Sequence, residues 1–476
     1  MEYPVVRLED IVIKNLKNVE YGHINFNLHK MNSQANILGL YGQNGSGKTV
    51  LIDALHILKQ LLMGQRLSEK LVDYITLGAP AAELNFTFSV VYGDVKMWAY
   101  YDVDLIKEMA INNSNTENEQ SVKEIIVVDR EKLQYKVENP KWSIRKTVIA
   151  DTKTDSVFVP NNKFNLLFGK SDESITDFLV DKRVTRVESK SFLFSGVFIK
   201  RLASRKTIFQ GNEEGQYIGM IIDSLVQYGN HDLFVVLTMH SGLNSLNILP
   251  LEIIIKNDNI GRIGTITLPL DSSHVLPVVI VDEINNIIKM MNLVLSAIIP
   301  DLKIEMSDLG NALLKNGEQG RRVELVSVKG DKKIPLTYES EGIRKIISIL
   351  SLLIAVYNRP SVTIAIDELD AGIFEYLLGE ILRIIAEKGK GQLIFTSHNL
   401  RPLETLSKYC IAFTTTNPKN RYVRPTNVKK SNNLRDFYYR DIILGEQAEE
   451  IYKPTQNSEI SYAFKKAGGY KWQKEK

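Results

Sequence analysis

The stretch Leu40–Leu51, LYGQNGSGKTVL, constrains what this chain can fold into more than any other short segment. It fits the pattern G-x-x-x-x-G-K-[ST], with Gly42, Gly47, Lys48 and Thr49 at the fixed positions and Asn44, Gly45 and Ser46 between them. The apolar run ILGL precedes it and reads as a buried strand, and VLIDALHILKQLL follows with helical spacing. Glycines let backbone N–H groups turn inward around a polyphosphate, and a helix N-terminus adds partial positive charge. In that setting Lys48 would reach β- and γ-phosphates and the Thr49 hydroxyl would ligate Mg²⁺. A glycine-rich turn with a chance lysine is the bland alternative, and the strand–turn–helix context argues against it.

A second signal lies far downstream. In SVTIAIDELDAG an apolar strand ends in Asp367-Glu368. One carboxylate there can hold Mg²⁺ through water while the next orients or deprotonates an attacking water. A solvated strand end would also read this way. Further on, GQLIFTSHNL places His398 just past another buried strand, where it could contact a γ-phosphate. Between the two halves, YESEGIRKIISIL sets Ser340 and Gly342 at the head of a long apolar helix. Ser340 is a natural N-cap, and a capped helix N-terminus is also an anion site, so both readings stand.

In this order, phosphate loop, S-x-G helix, D-E strand, D-A-G and final histidine resemble the ABC-type ATPases. The resemblance implies an α/β head with an antiparallel β-subdomain, binding ATP and Mg²⁺. It implies that Gly42, Asn44, Gly45, Ser46, Gly47, Lys48 and Thr49 hold the nucleotide. Thr49 and Asp367 would hold the metal, and Glu368 and His398 would serve catalysis. Ser340 and Gly342 would act as the signature motif on ATP held by an opposite, head-to-tail subunit. Asp370 matches the D-loop position, with a helix N-cap before AGIFEYLLGEIL as its alternative. Glu341 stands where transporter-type members have glycine, and no Q-loop glutamine is assigned.

Nearly three hundred residues separate Lys48 from Ser340, so the ATPase is split. SMC and Rad50 proteins are split too, but they carry long heptad coiled coils, which this sequence lacks. It is more similar to the compact kind found in OLD nucleases and in anti-phage systems such as PARIS, Septu and the abortive-infection type. The expected division is an N-terminal lobe (1–165), an inserted, mixed but mainly helical subdomain (166–300), a C-terminal lobe (301–415) and a basic, aromatic extension (416–476). NLKNVEYGHINF resembles the first hairpin of such ATPases, without any single residue standing out. EIIVVDR and KLQYKVE read as two strands, and NNSNTENEQ as an exposed loop.

A net charge of +3 argues neither for nor against nucleic acid. The single cysteine, Cys410, excludes a disulfide framework and a CxxC zinc hook. With no signal peptide and no membrane-length apolar run, the expectation is a soluble cytoplasmic protein. The pair Asp102 and Asp104 is the only free D-x-D, and it reads as a solvated strand end in the wrong part of the chain for a Toprim domain. His23, His29, His56, His231, His240 and His274 show no HNH or zinc spacing. Any effector, such as a Toprim or HNH nuclease, is therefore expected to be a separate protein. Two basic stretches are candidate nucleic-acid contacts. The first holds Lys182, Arg183, Arg186, Lys190, Lys200, Arg201, Arg205 and Lys206. The second interleaves Arg421, Arg424, Lys429, Lys430, Arg435 and Arg440 with Tyr422, Phe437 and Tyr438. A solvated face or an acidic protein partner suits either stretch equally.

Overall fold

The computed structural model describes residues 4–26, 36–112, 121–205, 212–237, 248–257, 260–426, 433–444, 449–453 and 455–468. Its core sheet has six strands, in the order Tyr422–Val423, Ile411–Thr414, Asn36–Tyr41, Gln392–Thr396, Thr363–Ile366 and Leu233–Val236. All neighbours are parallel except the first pair. Strands buried on both faces are mostly apolar, and TIAI and QLIFT are buried at every position, with the polar Thr363 and Gln392 bonded to each other (3.1 Å). The parallel register brings Tyr41, Ile366 and Thr396 to one edge. Gly42, Asp367 and Ser397, hundreds of residues apart in sequence, leave the sheet there side by side. Ligands of open parallel sheets bind at this strand-end edge.

The second sheet is antiparallel and again six-stranded: Val19–Asn25, Val5–Leu16, Ala82–Tyr92, Val95–Asn112, Ser121–Asn139 and Trp142–Asp151. Alternation in Ala82–Tyr92 buries one face, and the helix Lys48–Leu62 shares that core. This is the α/β class expected, a phosphate-loop core with an antiparallel β-subdomain. EIIVVDR and KLQYKVE are not two strands but parts of the single strand Ser121–Asn139. The exposed loop expected before it, residues 112–120, falls mostly outside the described residues.

Four helices follow: Asn161–Phe168, Asp172–Val187, Gly196–Ser204 and Glu213–Gln227. Phe164, Phe168, Phe178 and Phe198 pack at their centre, with Phe168 and Phe178 ring centroids 4.4 Å apart. Glu131 links them to the antiparallel sheet. It is fully buried, accepting from Tyr101 Oη (2.7 Å), Ser191 Oγ (2.5 Å) and the Phe192 backbone N–H (2.6 Å). Burial pushes its pKa up despite these donors. The stretch 166–300 is not only an insertion, because Leu233–Val236 is the core strand beside that of Asp367. It also supplies a hairpin, Ile248–Asn257 with Ile260–Pro269, and the helix Val278–Ile298. Among the described residues no helix is long and apolar enough to cross a membrane.

Candidate active site

The phosphate loop has the backbone its glycines predict. Gly45 (φ 76°) and Gly47 (φ 89°) lie in the left-handed region that side chains resist. Gly42 has a second reason, since a Cβ there would stand 1.9 Å from Thr414 Oγ1. The helix Lys48–Leu62 starts with no side-chain cap, leaving its first N–H groups to a ligand. Ser46 faces inward, its hydroxyl donating to the Gln43 carbonyl (2.6 Å).

Lys48 is nearly buried, with its ammonium donating to the carbonyls of Gly42 (2.8 Å) and Gln43 (3.2 Å). Burial lowers its pKa, and the negative charges of Asp367, Glu368 and Asp370 oppose that shift. Asp367 is buried at the end of its strand. The hydroxyl of Thr49 faces both its oxygens, at 3.3 and 3.2 Å. Thr396 orders the strand end. Its hydroxyl donates to Asp367 Oδ1 (2.6 Å) and accepts from the Glu368 backbone N–H (2.8 Å). Glu368 has φ 49°, a left-handed conformation rare outside glycine. Such strain collects where surrounding structure holds a side chain for use.

These groups line one cavity of about 670 Å³, with Lys48, Thr49, Asp367, Glu368, Thr396 and the exposed His398 on its walls. Asn44, Gly45 and Gly47 line it as well. The structure thus brings together the phosphate loop, the D-E strand end and His398. The oxygen donors of Thr49 and Asp367 fit a hard divalent cation such as Mg²⁺, which takes few protein ligands when phosphates supply others. Ser340 and Gly342 are elsewhere. Ser340 is exposed and caps its helix, accepting from Ile343 N–H at 3.3 Å, and neither residue lines the cavity. Gly342 lies against the chain after the D-E strand, where a Cβ would be 2.1 Å from the Gly372 carbonyl oxygen.

The helix-cap alternative for Asp370 fails. The next helix, Glu375–Lys388, is preceded by Phe374 and has no side-chain cap. Instead the Asp370 carboxylate accepts from the backbone N–H groups of His398 (3.0 Å) and Asn399 (2.9 Å). It fixes the turn that carries His398.

Several site residues escaped the sequence reading. Lys17 and Asn18, the turn of the first hairpin, line the cavity, and the Asn18 amide donates to the Gly45 carbonyl. Tyr422 Oη donates to the Gly47 carbonyl (3.0 Å), and Arg421 donates to the carbonyls of Thr415 (2.6 Å) and Asn18. The second basic stretch therefore buttresses the phosphate loop from behind. Arg424 also faces inward, donating to the carbonyls of Tyr409 (2.9 Å) and Asn25 (2.8 Å), and burial pulls its pKa down to about 10. Phe437 and Tyr438 are buried against Phe413. These five side chains do not face a partner, while Lys429 and Lys430 lie outside the described residues.

Part of the first basic stretch is engaged within the chain, three of its cations by carboxylates. Lys182 donates to the carbonyls of Thr154 (2.8 Å) and Ser156 (2.9 Å), and Arg186 pairs with Asp129 (2.9 Å) and Glu108. Lys190 pairs with Glu188 (2.7 Å) and Arg201 with Asp181 (2.9 Å), whereas Arg183 and Lys200 are exposed. Lys206 lies outside the described residues, as do His29 and His240. Asp102 and Asp104 sit in mid-strand, not at a strand end, with Asp102 accepting from the Asn85 amide (2.9 Å) and Asp104 4.0 Å from Arg130.

The sequence profile of a family described as an AAA domain matches residues 10–214. No curated protein matches the chain. Among solved structures, the SMC head domain from Thermotoga maritima aligns at 13% identity and a TM-score of 0.36, over 88% of this chain and 99% of that one. An SMC head with a coiled coil and joint from Pyrococcus yayanosii aligns at 11% identity and a TM-score of 0.38, over 91% and 100%. An SMC head bound to the C-terminal winged-helix domain of ScpA gives 13% identity and a TM-score of 0.36, over 90% and 99%. The profile match spans the phosphate loop and most of the antiparallel sheet.

Proposed function

We propose that the chain is an ABC-type ATPase that binds Mg-ATP in the cavity between Lys48 and Asp367 and hydrolyses it slowly, using the cycle as a switch. The observation that carries this is the meeting of Thr49 with Asp367, which joins the two halves of the motif set at one point. Lys48 would exchange the Gly42 and Gln43 carbonyls for β- and γ-phosphate oxygens. A bound Mg²⁺ would neutralise phosphate charge, with Thr49 and Asp367 as its protein-side oxygens. Glu368 would take a proton from the attacking water, and His398, on the turn held by Asp370, would stand beside the γ-phosphate. Ser340 and Gly342, being outside their own cavity, would complete that of a second, head-to-tail copy.

The setting we favour is bacterial phage defence, with this chain as the sensor or scaffold that restrains a separate nuclease or toxin. The alternative is a DNA-repair ATPase of the RecF or Rad50 type acting directly on DNA. Strong DNA binding draws on cations free to meet phosphates. Here Lys182, Arg186, Lys190 and Arg201 are already engaged, and Arg421 and Arg424 point inward, which supports the first reading.

Glu368→Gln keeps size and polarity but removes the base. ATP should bind and persist while turnover falls on the order of 10²-fold or more. Phosphate release at the wild-type rate would sink the assignment. The setting is tested by expressing the chain with its neighbouring reading frames and comparing phage plating for wild type and Lys48→Ala. Protection lost with the substitution supports defence. Unchanged plating, with sensitivity to DNA damage instead, supports repair.

A further inference from the structure

Two apolar features of this chain lack a partner among the described residues, and they match. The first is a groove of about 420 Å³ between three helices: Val278–Ile298, Glu341–Asn358 and Glu375–Lys388. Val294, Ile298, Leu353, Ile354, Ile381 and Ile384 line it. Met290, one turn before Val294, extends the same stripe and is 65% exposed. The second is the C-terminal helix Asn457–Gly468, whose side chains from 457 to 467 are all exposed. Ile460, Ala463, Phe464 and Ala467 fall at i, i+3, i+4 and i+7, one narrow apolar face with Phe464 77% exposed. A helix with such a face gains little by standing in water.

The two features lie at opposite ends of the core sheet. The backbone of Lys453 is held by the Gln43 side chain, its N–H donating to Oε1 (3.0 Å) and its carbonyl accepting from Nε2 (3.4 Å). The segment that leads into the helix is therefore anchored at the phosphate-loop end. The groove is walled by the last turns of two helices that run into the strands Thr363–Ile366 and Gln392–Thr396. Gly391 marks that end, its N–H donating to Val356 O (2.8 Å) and its carbonyl accepting from Asn36 N–H (3.2 Å). A strand the length of Asn36–Tyr41 separates the ends by roughly 20 Å. With its side chains from 457 to 467 all exposed, the helix does not occupy the groove of its own chain.

We infer that the groove receives the C-terminal helix of a second copy of this chain, in a contact separate from any head-to-tail nucleotide interface. Phe464 is the anchor, seated between Val294 and Ile384. Charge agrees with this seating. Lys465 and Lys466 follow the anchor on the helix, and beside the groove Glu380 and Glu387 bracket Ile381 and Ile384, two carboxylates that share the single Arg383 (2.7 and 3.7 Å). Reciprocal exchange of two such arms closes a twofold dimer in which the same surfaces meet twice. A single well-packed aromatic anchor commonly dominates an interface of this kind.

The test uses the full chain without nucleotide, so that it stands apart from ATP-dependent association. Phe464→Asp should weaken self-association about tenfold or more by sedimentation, with melting temperature and ATP affinity unchanged because the side chain is exposed. The buried Cys410 leaves the surface free for cysteine cross-linking. Chains carrying Phe464→Cys, mixed with chains carrying Ile384→Cys, should give a covalent heterodimer with a short bismaleimide, and neither alone should. An unchanged mass distribution for Phe464→Asp overturns the proposal. So does the absence of the heterodimer, or cross-linking only when both cysteines share one chain.

Discussion

The phosphate loop at residues 42–49 and the basic, aromatic segment at 421–440 look equally conspicuous in the sequence, yet only the first has the geometry its letters predict. The loop is specified by backbone requirements. Left-handed φ at Gly45 and Gly47, and the missing room for a Cβ at Gly42, leave few residue choices. The segment is defined by composition alone, and composition does not say which way a side chain points. Arg421 and Tyr422 turn inward to hold the carbonyls of Asn18 and Gly47. Patterns that encode geometry can be read from sequence; patterns that encode chemistry without geometry have to be seen folded.

The sharpest way to break this contrast is at Lys48. Lys48→Ala should abolish measurable ATP binding in calorimetry, because no other cation of the loop is placed against the β- and γ-phosphates. Near-wild-type affinity would make the loop no more informative than the segment. Next comes the shared site. Lys48→Ala and Ser340→Arg chains should each be inactive, and co-expressed heterodimers should regain part of the ATPase activity through one intact composite site. If neither activity nor ATP-dependent association returns in verified heterodimers, Ser340 is a helix cap only.

A smaller effect is expected behind the loop. Arg421→Met removes hydrogen bonds to two carbonyls from a buried position. It should cost about 2 kcal/mol of stability in urea unfolding and weaken ATP binding without abolishing it. No loss would return Arg421 to the surface role its composition suggested. The smallest effect tests the first basic stretch. Arg183→Ala with Lys200→Ala should change stability by no more than about 0.5 kcal/mol, and DNA retention in gel shifts should not change.

The same distinction explains what else was legible. The antiparallel strands were visible where side chains alternate, as in Ala82–Tyr92, and the S-x-G helix through its cap and apolar spacing. Leu233–Val236 was not, because four apolar residues directly after a helical run carry no period of their own. Asp367, Glu368 and His398 were legible from their place after apolar strands. Thr396 was not, although it ties Asp367 to Glu368, since a threonine ending a strand is ordinary until its partner from the neighbouring strand is known. Lys17 and Asn18 were hidden in the same way, as a plain hairpin turn that folding brings against Gly45.

The central claim is that residues separated by more than three hundred positions share one Mg-ATP site, and Thr49 with Asp367 is where they meet. Calorimetric Mg-ATP affinity for Thr49→Ala, Asp367→Asn and the double variant tests it directly. Each single change should weaken binding in the presence of Mg²⁺, and the double should be little worse than the poorer single. With Mg²⁺ removed by chelation, the differences between the variants should largely vanish. Strict additivity, within about 0.3–0.5 kcal/mol, or losses that persist unchanged without Mg²⁺, would mean that the two residues do not serve one ion and that the two halves do not form one site.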